Sequence, residues 1–375
     1  MVTANYYAFF ICIFLCSVLI VYPFIIFFFR IRRKPANHFP IFIAPVSIII
    51  VCFNEDQFIR DKILSFLDPE EWIEGSELII VSGGSTDGTN AILKEFQEHK
   101  YIRLHIFEKR VAKIAGINFA ATQRKNDLLV FSDCRQKMKK GSVKNIISPF
   151  SNPEIGTVSS TLTDSDQNSN TSFIRGLMNR IAFAQSESGS SLNLFGALYA
   201  QRKSVFRTIP DDILFDDLFV TVSTIVQGKR LIQSKEAIIR DIHFEHYYTK
   251  ERIERLTRGL LVFLFKHKKL ILQLPLGTML CFFIYKYLKL LFPFLVCLIL
   301  ISGLFMLFPV MNLNFLILTG TFFLILFAFK DFRKFFRLLF RIQYYIMTAT
   351  FRFLFLNKRS ITWQKLEGKN IQNKL

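Results

Sequence analysis

The stretch PVSIIIVCFNE, residues 45–55, decides the fold. Val46–Phe53 is an almost wholly apolar run rich in β-branched residues. A short run of this kind is typical of a strand that is covered on both faces of a parallel sheet. The polar pair Asn54-Glu55 follows at once. Because ligands gather beyond the carboxyl ends of parallel strands, this end of the strand is the first place to look for a binding site.

After this stretch, apolar strand-like runs alternate with amphipathic helical stretches up to about residue 248. Strands are predicted at Val46–Phe53, Glu77–Val81, Ile102–Phe107 and Asp127–Phe131, and helices at Asp56–Leu67, Thr89–His99 and Ala112–Arg124. The alternation predicts an α/β domain with a mainly parallel sheet. Such an open, Rossmann-like sheet is typical of nucleotide-binding proteins.

The N-terminal part of the chain carries a long uncharged segment. Tyr6–Phe29 contains no charged residue, and a helix of about 24 residues is about 36 Å long, enough to cross a hydrocarbon core of about 30 Å. Four basic residues follow between positions 30 and 34. Since positive flanks face the cytoplasm, the sequence predicts an outside N-terminus and a cytoplasmic domain.

The C-terminal part carries two further apolar runs, Leu290–Phe308 and Leu313–Phe329, which predict a helical hairpin across the bilayer. Residues 335–356 are rich in Phe but contain three arginines, so a helix in the membrane interface is preferred to a fourth span. Glu251–Leu274 fits either an interfacial helix or an ordinary packed amphipathic helix. The predicted segments are 1–34, a membrane helix with its basic flank; 45–250, the α/β domain; 251–289, an amphipathic interfacial region; 290–329, the hairpin; and 330–375, a basic interfacial segment.

The composition agrees with a protein that lies partly in lipid. The 375 residues are 51% hydrophobic and include 44 Phe, which excludes a disordered chain. Lys and Arg number 48 against 29 Asp and Glu, a net charge of +19. Because this charge lies next to the apolar segments, it predicts contact with anionic lipid headgroups and no nucleic-acid partner. The six cysteines form no C-x-x-C pair, so neither a disulfide framework nor a zinc site is indicated.

Several polar motifs follow the predicted strands in a fixed order. One of them, the glycine-bearing loop at residues 82–88, has neither the GxxxxGK[ST] nor the GxGxxG spacing of known phosphate-binding loops, so it is a weak signal alone. The motifs are VSGGSTDGT at 81–89, Arg110-x-x-Lys113 with Asn118, FSDCRQ at 131–136, FGALYAQRKSVF at 195–206, LFDDLF at 214–219 and Gly228-Lys229-Arg230. In this combination, from about residue 45 to 259, the chain resembles the membrane-associated, inverting family 2 glycosyltransferases with a GT-A domain.

Asp133 stands just after the fourth predicted strand, in the position of the family's metal-binding Asp-x-Asp. The resemblance implies that it binds Mg²⁺ or Mn²⁺ on the diphosphate of a nucleotide-sugar donor, a task that suits a hard oxygen ligand. A carboxylate that caps the next turn is the simpler interpretation. Arg135 fills the place of the second Asp, so we expect it to bind phosphate directly.

Asp216 and Asp217 precede an apolar helical stretch. Acids at a helix start are stabilised by the helix dipole, which alone would explain one of them. Two adjacent carboxylates raise each other's pKa, which favours a proton acceptor. The resemblance implies that Asp217, in preference to Asp216, is the general base.

The resemblance also implies a donor site and an acceptor site. Gly83 departs from the family, whose members usually carry there an Asp that contacts the nucleotide. Lys113, with Arg110 nearby, is either a ligand of the donor phosphates or a solvated helix charge, and Tyr199 is either an acceptor ligand or a core residue. The expected nucleotide-sugar ligands are Asn54, Glu55, Ser82, Asp87, Lys113 and Arg135, and the expected acceptor or phosphate ligands are Tyr199, Arg202, Arg252 and Arg255. Arg252 and Arg255 are either ligands of this kind or contacts to lipid headgroups.

The resemblance therefore predicts an integral enzyme of a bacterial inner membrane, with its catalytic domain in the cytoplasm. It would move a hexose or N-acetylhexosamine from a nucleotide sugar, UDP-linked by expectation, to a glycan or lipid-linked acceptor in surface-polysaccharide synthesis. An alternative is a catalytically silent subunit that binds a nucleotide sugar or a partner in a polysaccharide assembly complex. Gly83 and Arg135 motivate that alternative.

Overall fold

The structure is a computed structural model that describes residues 9–18, 40, 42–164, 170–241, 250–307, 321 and 329–355. Of the predicted N-terminal span, the described part is an apolar helix, α1 (Phe9–Val18). Most of Leu313–Phe329, the second arm of the predicted hairpin, and all of 356–375 lie outside the described residues.

One sheet of eight strands forms the centre of the domain, in the order β3-β2-β1-β4-β7-β6-β8-β5. The strands are β1 (Val46–Cys52), β2 (Glu77–Gly83), β3 (Ile102–Phe107), β4 (Leu128–Ser132), β5 (Lys137–Met138), β6 (Ile155–Asp164), β7 (Leu198–Arg202) and β8 (Arg230–Asp241). The first four strands begin and end within two residues of their predicted positions. Their neighbouring pairs are all parallel, as the sequence predicted.

The predicted mainly parallel sheet is corrected to a mixed one. β7 runs antiparallel to both β4 and β6, and β5 runs antiparallel to β8. The sequence prediction stopped at β4 because the later strands carry many polar residues, as in the stretch IGTVSSTLTD of β6. Their pairing is decided by tertiary contacts that no local pattern reveals.

Helices cover both faces of the sheet. Those of the domain are α2 (Ile59–Leu67), α3 (Thr89–Lys94), α4 (Lys113–Thr122), α5 (Ser142–Ile147), α6 (Asn170–Ser188) and α7 (Asp216–Val226). Successive side chains of a strand point to opposite faces. Ile48 and Ile50 of β1 accordingly pack in the core beneath α2 and α5, whereas Ile49 packs in the core beneath α4 and α7. Burial on both faces explains the continuous apolar run that marked this strand in the sequence.

The C-terminal helices are α8 (Lys250–Lys266), α9 (Lys268–Ile271), α10 (Leu276–Phe282) and α11 (Lys289–Leu307), with a π-helical segment at Phe283–Leu288, followed by α12 (Lys330–Phe355). α8 packs on the domain and beside α12, where Arg352 Nη1 lies 3.1 Å from Glu254 Oε1. The rings of Phe265 and Phe353 are 5.8 Å apart in the same contact. The contacts of α8 are those of a packed amphipathic helix, the second of the two interpretations of this segment.

Among the described residues, one helix, Leu276–Gly303, is long and apolar enough to cross a membrane. It begins 14 residues before the predicted span at Leu290. The sequence prediction started later because Lys286 and Lys289 interrupt the uncharged run. The beginning of this helix belongs to the domain core, since Phe282 is fully buried and Tyr287 is 6% exposed.

Candidate active site

Lys113 joins two carboxylates that are about 80 residues apart in the sequence. Its Nζ lies 2.9 Å from Asp133 Oδ1 and 3.3 Å from Asp216 Oδ2. Lys113 is the first residue of α4, Asp133 directly follows β4, and Asp216 is the first residue of α7. Burial opposes its charge, but the three nearby carboxylates, Asp217 included, hold the pKa of Lys113 well above its ordinary value. We call Lys113, Asp133, Asp216 and Asp217 the carboxylate cluster.

Asp217 packs directly against the backbone of Gly196. A Cβ added at Gly196 would lie 2.4 Å from Asp217 Oδ1, so no larger residue fits there without movement. The carboxylate accepts the Gly196 N–H, yet its buried Oδ1 has no hydrogen-bond partner. Burial, with repulsion from Asp216, raises the pKa of Asp217 to about 8 against the attraction of Lys113. A carboxyl with such a pKa is suited to accept or donate a proton near neutral pH.

Tyr199 of β7 is 2% exposed and stacks on Phe131 with ring centroids 4.7 Å apart. Its hydroxyl is buried without a hydrogen-bond partner. Burial and then the charges of Asp216 and Asp217 raise the pKa of Tyr199 well above its ordinary value. Tyr199 is thus a core residue whose hydroxyl lies close to the cluster, and its role as an acceptor ligand stays a prediction.

A small cleft opens between these side chains at the carboxyl ends of β1 and β4. Its walls are apolar around a polar centre, as in many ligand sites. The lining residues are Ile49, Val51, Lys113, Ile117, Phe131, Ser132, Asp133, Gly196, Tyr199 and Asp216. The Asp133 N–H donates to the carbonyl of Ala197, 3.2 Å away, so the backbone at 196–197 contacts the Asp217 carboxylate on one side and the backbone of Asp133 on the other.

Beside the cluster, two loops at 53–56 and 82–90, here called the donor loops, bond to each other. Asn54 has a φ of +53°, a left-handed conformation that Asn tolerates better than most residues. Its side-chain oxygen accepts the Thr86 N–H at 2.8 Å, and its own N–H donates to Ser85 Oγ at 3.1 Å. Asn54 is therefore the residue that joins the two loops.

Ser82 and Asp87 also hold these loops together. Ser82 is fully buried and donates to Asn90 Oδ1 at 2.6 Å. Asp87 accepts the Thr89 N–H at 3.0 Å. Although burial opposes it, the hydrogen bonds from Thr89 and Asp56 lower the pKa of Asp87. These two predicted nucleotide ligands lie at the expected edge of the sheet, and their hydrogen bonds shape the loop.

Arg110 and Gly83 form a close contact beside the donor loops. The Arg110 guanidinium lies 3.4 Å from the centre of the Phe53 ring, a cation–π distance. A Cβ at Gly83 would lie 2.8 Å from the carbonyl oxygen of Val111. The aspartate that the family usually carries at this position would not fit here, because the 109–111 segment occupies its place.

Arg135 and Glu55 form an ion pair across the ends of β4 and β1. Arg135 Nε lies 3.1 Å from Glu55 Oε1 and 2.8 Å from Glu55 Oε2. The Arg135 guanidinium also lies 5.7 Å from the centre of the Phe58 ring. Arg135 occupies the position of the second aspartate in the metal motif. In this structure its guanidinium binds the Glu55 carboxylate, and its binding to phosphate stays a prediction.

Few side chains near the cleft could bind a divalent cation. Among the described residues, no three His, Cys, Asp or Glu side chains lie together in a group able to hold a metal ion. Mg²⁺ typically uses one or two carboxylates together with substrate phosphates. Asp133, whose side chain is 35% exposed, fits that requirement when a diphosphate supplies the other oxygens.

Arg255 of α8, which neighbours Arg252, lies near the cluster on the side of the C-terminal helices. Burial and the neighbouring Arg252 lower the pKa of Arg255, while Asp216, Asp133 and Asp217 attract it. A Cβ at Gly259 would lie 2.4 Å from the Phe215 ring. α8 therefore crosses the residue before Asp216 in close contact, which brings Arg255 towards the carboxylates.

Arg202 is placed away from the cleft, and the prediction of an acceptor role for it is wrong in position. It pairs with Leu128, the first residue of β4, at the edge of the sheet opposite to the cluster. Its guanidinium donates to the carbonyls of Phe150 and Ile155 at 2.6 and 2.8 Å. The error arose because Tyr199 and Arg202 share one motif, whereas three residues along a strand cover about 10 Å.

Sequence reasoning missed Gly196 although it lies in the motif FGALYA. Its role becomes visible only through the Asp217 carboxylate against it. A glycine between apolar residues at the start of a strand was the one available signal, since it often marks a close approach of another group.

The sheet and cleft together define a GT-A domain, the Rossmann-like fold of nucleotide-sugar transferases. Residues 47–209 match the family Glycosyl transferase family 2. They form a family 2 glycosyltransferase domain, so the predicted membership of family 2 is confirmed.

Similar proteins agree with this assignment. The poly-beta-1,6-N-acetyl-D-glucosamine synthases of Staphylococcus epidermidis and of its strain RP62A are each 24% identical over 215 residues, which is 52% of this chain and 51% of theirs. The chain thus spans about half the length of the curated relatives it matches. The solved structure of the mannosyltransferase PcManGT from Pyrobaculum calidifontis, in complex with GDP-Man and Mn2+, is 18% identical with a TM-score of 0.73. That match covers 94% of this chain and 100% of the mannosyltransferase chain, and it shows the fold.

Proposed function

We propose that this protein is a membrane-associated, inverting glycosyltransferase. It moves a sugar from a nucleotide-sugar donor, UDP-linked by expectation, to a glycan or lipid-linked acceptor in surface-polysaccharide synthesis. The observation that carries the proposal is the carboxylate cluster, in which Lys113 joins Asp133 to Asp216 with Asp217 alongside. The similarity to a polysaccharide synthase supports a glycan product.

The reaction forms one glycosidic C–O bond, breaks the C–O bond to the diphosphate and moves one proton. An acceptor hydroxyl oxygen attacks the anomeric carbon of the donor sugar, and the bond from that carbon to the diphosphate breaks. The nucleoside diphosphate leaves with the electron pair, and the hydroxyl proton passes to the Asp217 carboxylate. A general base of this kind contributes roughly 10²–10⁴-fold to the rate. Attack from the side opposite to the leaving group inverts the anomeric centre.

The cations near the cleft would neutralise the leaving diphosphate. Lys113, now held by Asp133 and Asp216, would turn to the phosphates when a donor binds, because a dianion attracts it at least as strongly. A bound Mg²⁺ or Mn²⁺, held by Asp133 and phosphate oxygens, would supply further charge neutralisation. A complex with GDP-Man and Mn2+ is known for PcManGT, which supports this proposal.

The apolar helix Leu276–Gly303 supports a place in the membrane. Leu276, Leu280 and Leu291 on this helix are 68%, 54% and 51% exposed, which suits contact with lipid. We propose that the domain lies at the cytoplasmic face of a bacterial inner membrane, on the side of the basic segments.

A thermal-shift series with UDP-, GDP- and dTDP-sugars, with and without Mn²⁺, tests donor binding. A ligand at 100 times its Kd adds roughly 2.7 kcal/mol of stability, so a true donor gives a clear shift. Lys113→Met should reduce the shift without abolishing it, and Lys125→Met, a lysine outside the cluster, should keep it in full. A protein that responds to none of these donors would contradict the proposal.

The second candidate is a silent subunit that binds a nucleotide sugar or an assembly partner. The filled space at Gly83 and the Arg135–Glu55 pair favour it, because they replace two of the family's acidic groups. Release of nucleoside diphosphate from the bound donor separates the two candidates. Turnover that Asp217→Asn abolishes supports the enzyme, and donor binding without any turnover supports the silent subunit.

A further inference from the structure

The apolar helix that leaves the domain carries two lysines at its π-helical segment. Lys286 lies within that segment, Phe283–Leu288, and Lys289 follows it directly. π-helical turns are rare and occur frequently at functional sites, because the extra residue redirects the side chains around it. The helix is uncharged on either side, at residues 276–285 and 290–303, so these two lysines are its charged residues.

Contacts tie these lysines to the segment that precedes β7. Lys286 Nζ donates to Asn193 Oδ1 at 3.0 Å, and Asn193 Nδ2 donates to the Tyr285 hydroxyl. Lys286 and Lys289 lie 4.9 and 5.9 Å from the centre of the Tyr285 ring. Asn193 is 4% exposed, so its amide is a fixed anchor for the head of Lys286.

The anchor is three residues from the glycine that packs on the base. Asn193 precedes Gly196, which contacts the Asp217 carboxylate, and the charge of Asp217 attracts Lys286. β7 lies beyond β4 from β1 in the sheet, whereas the donor loops follow β1 and β2. The lysines are therefore on the side of the cleft away from the donor loops, where an acceptor would enter.

Neither lysine forms a salt bridge with a described acid, although the charge of Asp217 attracts Lys286. The salt bridges of the described residues include neither Lys286 nor Lys289. A cation in an apolar helix is costly, and such residues usually face a partner or a polar pathway. Lysine is a frequent ligand of phosphate, to which it donates charge-assisted hydrogen bonds.

We propose that Lys286 and Lys289 bind the phosphate of a lipid-borne acceptor and so hold its reacting hydroxyl at Asp217. This inference rests on the proposed function, and it adds the chemical class of the acceptor. The bilayer is the source of the phosphate because the lysines lie on the helix that is able to cross the membrane. Leu280 and Leu291, on either side of them, are exposed as lipid contacts would be.

The test uses the full-length protein in detergent with citronellyl phosphate, a short lipid phosphate, as the probe. Thermal shifts are recorded with this probe, with citronellol and with inorganic phosphate. We expect citronellyl phosphate alone to stabilise the protein. In Lys286→Met the half-saturating probe concentration should rise about tenfold or more, the loss expected for a charged hydrogen bond. Lys286→Arg should retain most of the response, and Lys269→Met, an exposed lysine of α9, should behave as the unchanged protein.

The nucleotide-sugar shift of the same variants separates the two proposals. If Lys286→Met binds the donor normally but not the probe, the acceptor site is supported. An equal response of Lys286→Met and the unchanged protein to citronellyl phosphate would overturn it, and so would an equal response to inorganic phosphate, which would indicate a soluble anion. Should Lys286→Met fail to fold, Lys289→Met carries the same expectations.

Discussion

The donor loops and the carboxylate cluster lie side by side but satisfy their polar groups in opposite ways. In the donor loops, Asn54, Ser82 and Asp87 bond to backbone and side chains of the same two loops. In the cluster, Asp217 Oδ1 and the Tyr199 hydroxyl are buried without a partner. A buried polar group without a partner costs about 1–3 kcal/mol.

We therefore call the donor loops the platform and the carboxylate cluster the reactive centre. The donor loops have their shape before any ligand binds, because their own hydrogen bonds determine it. The cluster contains buried oxygens without hydrogen-bond partners and a carboxyl with a raised pKa, and a bound substrate could supply the missing partners. Groups with perturbed pKa values are typical of functional sites. Substitutions in the cluster should therefore change the chemistry, and substitutions in the loops should change binding and stability.

Asp217→Asn is the strongest test of this comparison. The variant keeps the shape of the side chain but cannot accept a proton, so the transfer rate should fall by roughly 10²–10⁴-fold. Product formation from a saturating donor measures the rate, and thermal shift with the donor checks that binding is retained. Loss of donor binding in this variant would mean that Asp217 belongs to the platform.

Gly259→Ala tests how strictly α8 positions the cluster. The new methyl group would meet the Phe215 ring, so α8 or the start of α7 must move. A displacement of this size should lower the transfer rate by roughly ten- to a hundredfold. Gly176→Ala is the matched control, because a Cβ there meets nothing within 4 Å. Equal rates in the two variants would show that α8 does not set the geometry.

Asp216→Asn should move the pH profile of transfer. Asp217 has a raised pKa of about 8, and as a base it acts only when deprotonated, so activity should rise with pH up to about that value. Removal of the Asp216 charge removes repulsion, lowers the pKa of Asp217 and shifts the rising limb to lower pH. Lys113→Met removes an attraction and should shift the limb to higher pH. A limb that stays in place in both variants would assign the titration to another group.

Asn54→Ala tests the platform. Alanine is unfavourable at a φ of +53°, and it loses the bonds to Thr86, so the midpoint of thermal unfolding should fall with a cost of roughly 1–2 kcal/mol. Asn54→Gly accepts this φ and loses only the side-chain bonds. Both variants should weaken donor binding several-fold while the rate at saturating donor changes little. A large fall in the rate at saturating donor would contradict this prediction, because it would show that Asn54 affects the chemical step as well as binding.

Arg202→Met should have the smallest effect on catalysis. Its guanidinium holds three backbone carbonyls far from the cleft, so thermal stability should fall by about 2–4 kcal/mol while kcat and KM stay unchanged. Steady-state kinetics below the unfolding temperature decide the matter. A changed KM for the acceptor would return Arg202 to the site.

The sequence was sufficient for the half of the fold that is built from local patterns. The continuous apolar run of β1 predicted a strand buried on both faces, and its position is confirmed. The antiparallel pairing of β7 was not predictable, since nothing within Leu198–Arg202 distinguishes its direction. In the site, Asp133 and Asp216 were found because acids after a strand or at a helix start are visible in sequence. Lys286 was not found, because it lies 70 residues after Asp216 in the sequence and its contact with Asn193 is visible only in the structure.

The peptide unit between Gly196 and Ala197 has one further consequence. Its two residues contact the Asp217 carboxylate and the backbone N–H of Asp133, so both acids are attached to one short turn that leads into β7. The spacing between the two acids therefore depends on the backbone of this turn. For the proposed reaction, this shared attachment couples the acid at the diphosphate to the acid at the acceptor hydroxyl, so a shift of the turn would displace both together.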